Sequence, residues 1–252
     1  VLEALCKPAI AGLQQTETNE AAVCWHLDCL AVILRDAVCP GTSSSSTSHA
    51  DASRHMSVAT FITSSLWPLL RAQLEKLPAH QRIVEKALRC LKHAVRCAGE
   101  GFKPLLPDFL ALLEKNAQLC LHCTYLYAAE WLAMQFGQDE QYQQPLMHLF
   151  RQLSAQALQA IQEQSQNIDA CCDLVEDCYG MVNRYIRYCP LLVSLSPSSV
   201  QQALMVARSA MYVQQREAAQ VVFTFLDSCA FVCDEQRPVE PLSNALRSIV
   251  LE

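Results

Sequence analysis

Glycine is scarce, at 6 residues in 252, or about 2% where about 7% is usual. So few residues free to take positive φ exclude a fold built on tight β-hairpin turns, a glycine-rich phosphate loop or a strained nucleophile elbow. Charge is thin as well, at 17%. The 52% hydrophobic content nevertheless places the chain far from disordered compositions, and a chain of this length can bury a substantial core. No run approaches the roughly 18 apolar residues that cross a bilayer, and the opening VLEALCKPAI is not ordered as a signal peptide. A soluble, intracellular chain without membrane insertion is expected. No G-x-S-x-G, P-loop, H-E-x-x-H or G-x-G-x-x-G sequence is present, nor a cysteine with a credible histidine partner. No enzyme activity, cofactor or metal is expected. Cys120-Leu-His-Cys123 has half the spacing of a zinc site without a second C-x-x-C, and is read as buried packing on a helix, as are Cys171, Cys172 and Cys178.

What is abundant is cysteine, with 14 residues scattered beside Leu, Val and Ala, where in a reducing compartment they act as small hydrophobes. Apolar residues recur at spacings of three and four almost throughout, so the chain reads as all-α. Helices are predicted at about 1–14, 19–38, 55–76, 81–98, 104–115, 117–136, 141–166, 169–189, 198–213 and 215–233, with a last one from near Pro241 and a kink at Trp67-Pro68. The Ser-rich stretch at 40–54 has no apolar period and is expected to be a mobile loop. Helix, short turn and helix repeating about every 40 to 50 residues predicts a HEAT-repeat (ARM-like), right-handed superhelical solenoid of about five pairs, spanning 1–252 as one domain. No helix stands out as apolar on all sides, which argues against a closed bundle. The chain begins without Met, part-way into a helical pattern, so a piece of a longer protein is expected.

The 81–98 helix holds five of the chain's 19 basic residues in fifteen positions. At about 100° per residue, Arg82, Lys86, Arg89, His93 and Arg96 fall on one arc, with Lys92 and Glu85 at its margin. Ile83, Val84, Ala87, Leu88, Cys90, Leu91, Ala94 and Val95 form the opposite arc. In a protein of net charge -6 this is a segregated cationic ridge, with like charges repelling at i,i+3 and i,i+4. Guanidinium and ammonium groups one turn apart suit a ligand carrying phosphates at short intervals. A solvated face, a scaffold whose ridge pairs with neighbouring acids and direct RNA binding are the competing readings. The acidic total and the lack of aromatics among the basic residues disfavour nucleic acid. Glu176 and Asp177 are read as helix-dipole partners pointing to different sides.

The run Arg82-Ile-Val-Glu, with Arg89-Cys-Leu and Ala94-Val-Arg-Cys97, resembles the arginine-rich helix of the karyopherin-β nuclear transport receptors of the transportin-3 and importin-13 branch. Leu30-Ala-Val-Ile-Leu-Arg35, Trp67-Pro68, Val175-Glu-Asp177, Arg184-Tyr-Ile186 and Pro190 follow in the same order. The resemblance implies a nuclear import receptor fragment, shuttling between cytoplasm and nucleus. Its cargo would be Arg/Ser-rich proteins such as splicing factors, held on the concave face. Cargo contacts fall on Arg89, Lys92 and Arg96, with Arg82 and Lys86 extending the row. Two lysines stand where the family pattern has arginine, keeping charge but losing bidentate phosphate geometry. Ran-GTP, met mostly through N-terminal repeats not contained here, and nucleoporins are the other implied partners.

Overall fold

The computed structural model describes residues 1–15, 19–37, 57–189 and 196–232. Among them are ten α-helices and no strand: α1 (Leu2–Gln15), α2 (Glu20–Asp36), α3 (Trp67–Lys76), α4 (Gln81–Ala98), α5 (Leu106–Leu119), α6 (Cys123–Phe136), α7 (Glu140–Glu163), α8 (Cys172–Tyr188), α9 (Pro197–Ala210) and α10 (Arg216–Val232). The Ser-rich stretch at 40–54, Pro190 and the helix expected from Pro241 lie outside the described residues. None of the described helices is long and apolar enough to cross a membrane.

The chain forms two compact units, Val1–Cys120 and Leu121–Glu252. In the first, α1 pairs with α2 and α3 with α4, while α2 packs on α4 and α3 on α5. In the second, α7 pairs with α8 and α9 with α10; α6 packs on α8, α8 on α10, and α7 on α9. First helices thus stack on first helices and second on second. This two-layered stacking is the all-α, HEAT-like repeat architecture expected from the apolar spacing.

Local chemistry sets the boundaries. Asn19 caps α2 by accepting from the Ala22 N–H at 3.3 Å. Gly99 ends α4 with φ 50°, a conformation that costs glycine little. The predicted kink at Trp67-Pro68 takes the form of a π-turn over Ile62–Leu66, in which the Trp67 N–H reaches back to the Ile62 carbonyl. Pro68 has no N–H to continue the α pattern. The Thr63 and Ser64 hydroxyls donate to the Thr60 carbonyl at 3.1 and 2.7 Å, taking up an acceptor that the altered turn disturbs.

The third pair differs most from expectation. A 3-10 segment, Gly99–Leu105, absorbs the Pro104 region, and α5 starts only where Pro107 can occupy its first turn. Cys120 (φ -157°, ψ 109°) and His122 (φ -121°, ψ 145°) are extended. The C-x-x-C sequence is therefore a connector, not a helical stretch, and both cysteines are half-buried. Cys171 and Cys172 are half-buried too, at the junction into α8; only Cys178 of that trio is buried. All twelve described cysteines are free thiols. α6 also approaches the all-round apolar helix not seen in the sequence: beyond its first turn, Tyr127, Glu130, Met134 and Gln135 are what remains at least partly exposed.

In the first unit the core centres on Trp67, Phe102 and Phe109, buried and mutually edge-on with centroids 5.6 to 6.2 Å apart. Asn116, 1% exposed, donates to the Leu74 carbonyl at 3.0 Å, satisfying one of the last four carbonyls of α3. In the second unit Tyr179 stacks on Phe225 with centroids 5.3 Å apart and donates its hydroxyl to the Ala203 carbonyl at 2.9 Å, tying α8 to both α10 and α9.

Two substitutions measure these contacts. Phe109→Ala is expected to destabilise the first unit by about 3–5 kcal/mol, the usual range for emptying a buried aromatic site. Tyr179→Phe is expected to cost about 1–2 kcal/mol by leaving the Ala203 carbonyl short of its side-chain donor. Urea unfolding followed by circular dichroism reads both.

Candidate cationic site

Each of the eight residues assigned to the apolar arc of α4 is buried, and Cys97 and Ala98 join them. The arc seats α4 on α2 in parallel: the Cys90 thiol donates to the Leu27 carbonyl at 2.8 Å and the Cys97 thiol to the Leu34 carbonyl at 3.0 Å. Seven residues separate both donors and both acceptors, so the two helices keep one register for two turns. Burial, with Asp28 and Cys6 adding to it, pushes the Cys90 thiol far above its ordinary range, so it remains a neutral donor.

The cations sit on the opposite face, where α2 supplies a second wall. Asp28, Val32 and Arg35 of α2 and Lys86, Arg89 and His93 of α4 line a groove of about 250 Å³. The row is not uniformly open. Lys86 pairs with Asp28 at 3.0 Å, Arg82 approaches Glu20 at 4.0 Å, and His80 approaches the same carboxylate at 3.3 Å. Among the described residues, Arg89 and Arg96 have no carboxylate within 4.0 Å. Arg35, at the groove margin, is held by Asp36 at 2.8 Å.

His93 reports the field at this place. Its Nδ1 is buried and has no hydrogen-bond partner. Its pKa is lowered, first by burial and then by Arg96, Lys92, Arg89 and Arg35. Four cations therefore converge on one neutral imidazole. Toward the carboxy-terminal end of the ridge Arg89 and Arg96 meet no described carboxylate within 4.0 Å, and the amino-terminal end is matched by acids of α2.

The sequence did not disclose those acids, because Glu20 and Asp28 lie about 60 residues before their partners. A second feature went unread for a related reason. Glu176 and Asp177, expected on different sides of α8, both line a groove in the second unit together with Glu130 of α6 and Glu217 and Asp227 of α10. Burial, reinforced by Glu176, Glu130 and Asp173, pushes the Asp177 carboxyl up to about 7. A carboxylate favoured by a helix dipole would move the other way. Among the described residues, no group of three or more His, Cys, Asp or Glu side chains is arranged to hold a metal ion.

Comparison with known proteins adds a family likeness to this geometry. Residues 58–161 match the family described as the Transportin-3/Importin-13 fourth TPR domain. That span takes in α3 to nearly the end of α7 and therefore the whole cationic helix. Transportin MOS14 of Arabidopsis thaliana is 28% identical over 161 residues, 64% of this chain but 16% of that protein, so the match takes in only a small part of that relative. Over residues 58–161 in sequence, and in its helical architecture, the chain is therefore similar to the karyopherins of the transportin-3/importin-13 branch.

Proposed function

We propose that the chain is a cargo-binding portion of a nuclear import receptor that captures an extended, phosphorylated Arg/Ser-rich segment. Capture is electrostatic and non-catalytic. Arg89, Lys92 and Arg96 receive the phosphates, and Arg82 and Lys86 continue the row toward the amino-terminal end of α4. The observation that carries this reading is the convergence of Arg89, Lys92, Arg96 and Arg35 on His93, with Arg89 and Arg96 unmatched by any described carboxylate. Like charges gathered on one face cost stability unless an anion joins them. A phosphoserine brings about two negative charges and three acceptor oxygens to such a place.

The pairs at Glu20 and Asp28 set the order of engagement. Ion pairs at the surface are worth only about 0–1 kcal/mol, and with Asp28 43% exposed a phosphate can reach Lys86 in its place. Arg89 and Arg96 need no such exchange and would be met first. In the whole receptor, Ran-GTP would release the load and nucleoporins would guide the passage between cytoplasm and nucleus. The likeness to a transportin supports those roles.

Two matched pairs between α2 and α4 also favour, in part, a scaffold role for the ridge, and an RNA backbone offers phosphates too. One experiment separates the three readings. Replacing Arg89, Lys92 and Arg96 together by Ala is expected to weaken binding of a phosphorylated Arg-Ser peptide by at least about 100-fold, the loss of several charge-assisted contacts. The helical circular dichroism should stay unchanged. Fluorescence anisotropy checks the affinity. Retained peptide affinity would remove the assignment, and a drop in helicity or melting temperature would mark the row as scaffold. RNA held as tightly as the peptide at about 0.15 M salt would transfer the site to nucleic acid.

A further inference from the structure

The groove between α2 and α4 holds two groups that the cargo row leaves unassigned, Arg35 and His93. Both line it together with Asp28, Val32, Lys86 and Arg89, and it encloses about 250 Å³. That is smaller than the roughly 300–1,000 Å³ that hold a whole small molecule, and it suits one charged headgroup rather than a base and its sugar. The parallel register brings the two groups level. The Cys97 thiol meets the Leu34 carbonyl at 3.0 Å; Arg35 follows Leu34 in sequence, and His93 stands one turn before Cys97.

Arg35 is engaged on one edge only. Its Nε and Nη2 donate to the two carboxylate oxygens of Asp36 at 2.8 and 3.4 Å. A guanidinium carries five N–H donors in a rigid fork, so the Nη1 side remains for a second acceptor, and no described residue supplies one.

His93 is the member of this group whose charge can change near neutrality. Its Nδ1 is buried without a partner, so exchange with the groove runs through Nε2. Burial first, then Arg96, Lys92 and Arg89 of its own helix and Arg35 of α2, hold its pKa below the ordinary value. The acids of α2 on this side are already committed, Asp28 to Lys86 at 3.0 Å and Asp36 to Arg35. On the other elements packed against α4, Arg71 of α3 is held by Glu75 at 3.1 Å, and Lys103 of the 3-10 segment by Glu100 at 2.6 Å. The ring is thus kept neutral by cations that repel one more of their kind.

A doubly charged anion reverses that balance. Between Arg35 and Arg89 it offsets the repelling cations and offers Nε2 an acceptor, and both effects favour the charged ring. Donors reaching in from two helices approach from different directions. Tetrahedral phosphate, with three acceptor oxygens, meets them better than a planar carboxylate does.

We propose that Arg35 of α2 and His93 of α4 complete, together with Arg89, a seat for one phosphate group of an extended phosphopeptide, and that His93 takes up a proton from water as the anion enters. The charged ring donates its Nε2–H to a phosphate oxygen, and the proton returns to solvent when the anion leaves. The seat rests on the reading of the ridge as a phosphate-binding row, not on the sequence of the chain that carries the phosphate.

The sign of the pH dependence follows from linkage. The anion-bound ring holds its proton to higher pH than the free ring, so affinity is lowest where the ring is neutral in both states and rises as pH falls through the bound value. Phosphoserine itself loses its second charge at about pH 6. Inorganic sulfate keeps its charge throughout this range and is therefore the probe for proton uptake.

The test uses the 252-residue chain and nuclear magnetic resonance of the α4 amides and the histidine rings. Sulfate affinity is expected to rise by at least about threefold from about pH 8 to about pH 6 in wild type, and to stay within about 1.5-fold in His93→Gln, which keeps a neutral donor. On the unaltered chain, the His93 ring signal, identified by its loss in His93→Gln, should titrate with a midpoint at least about half a pH unit higher in saturating sulfate than in sodium chloride of equal ionic strength. A midpoint that sulfate leaves in place, or a flat wild-type affinity profile, overturns the proton uptake. Arg35→Gln is expected to weaken a singly phosphorylated Arg-Ser peptide by at least about fivefold at about pH 7, and unchanged affinity removes Arg35 from the seat.

Failure of the seat and failure of the cargo reading are distinguishable. Phosphopeptide binding that is lost on replacing Arg89, Lys92 and Arg96 by Ala, with no response of His93 to sulfate, keeps the ridge and removes the seat. Phosphopeptide affinity retained in that variant, with His93 still answering to sulfate in wild type, removes the cargo row and assigns the seat to free inorganic anions.

Discussion

The parallel seating of α4 on α2 is the contact on which the cationic site depends. The two helices bury small and aliphatic side chains, among them Ala87, Cys90, Leu91, Ala94 and Cys97 on one and Leu27, Leu30, Ala31 and Leu34 on the other. Two thiols there approach close enough to donate to main-chain carbonyls. With every apolar position of its inner arc buried, α4 has one orientation available, and its arginines must face away. Rotation of α4 by one residue would bury Arg89 or expose Leu88, both costly.

The same arithmetic made α4 the most legible element in the sequence. An arc of eight apolar residues against a row of cations specifies which side is buried without knowledge of the partner. The likeness to the transportin-3 and importin-13 branch was legible from short runs on this helix and its neighbours. Less could be read where the answer lies in another helix. The acids that meet Arg82 and Lys86 come from α2, and Asp177 meets Glu130 only because α6 packs on α8. Periodicity describes one helix at a time and carries no information on such pairings. The C-x-x-C connector failed for a different reason: apolar spacing continues through Cys120 to Cys123, and only the extended backbone at Cys120 and His122 breaks it.

Each unit presents charge of one sign on helices of the same layer type, the second member of a pair. In the first unit it is positive and half-compensated; in the second it is negative, with donors in short supply. The two surfaces differ in their dependence on solution conditions. In the acidic groove, burial and neighbouring acids push the Asp177 carboxyl up to about 7.

The π-turn at Ile62–Leu66 has a consequence for how this stretch tolerates change. A wide turn takes one extra residue into a helix without breaking it, and so spares everything downstream the rotation of about 100° that the same residue would impose on a plain α-helix. Here Trp67 thereby stays on the side of Phe102 and Phe109. A chain one residue shorter between Phe61 and Trp67 could run as plain α-helix and still bring its tryptophan inward, whereas a second insertion would turn the indole toward water. Length in this stretch is thus quantised by the aromatic cluster, while Thr63 and Ser64 serve the turn through their hydroxyls on the Thr60 carbonyl.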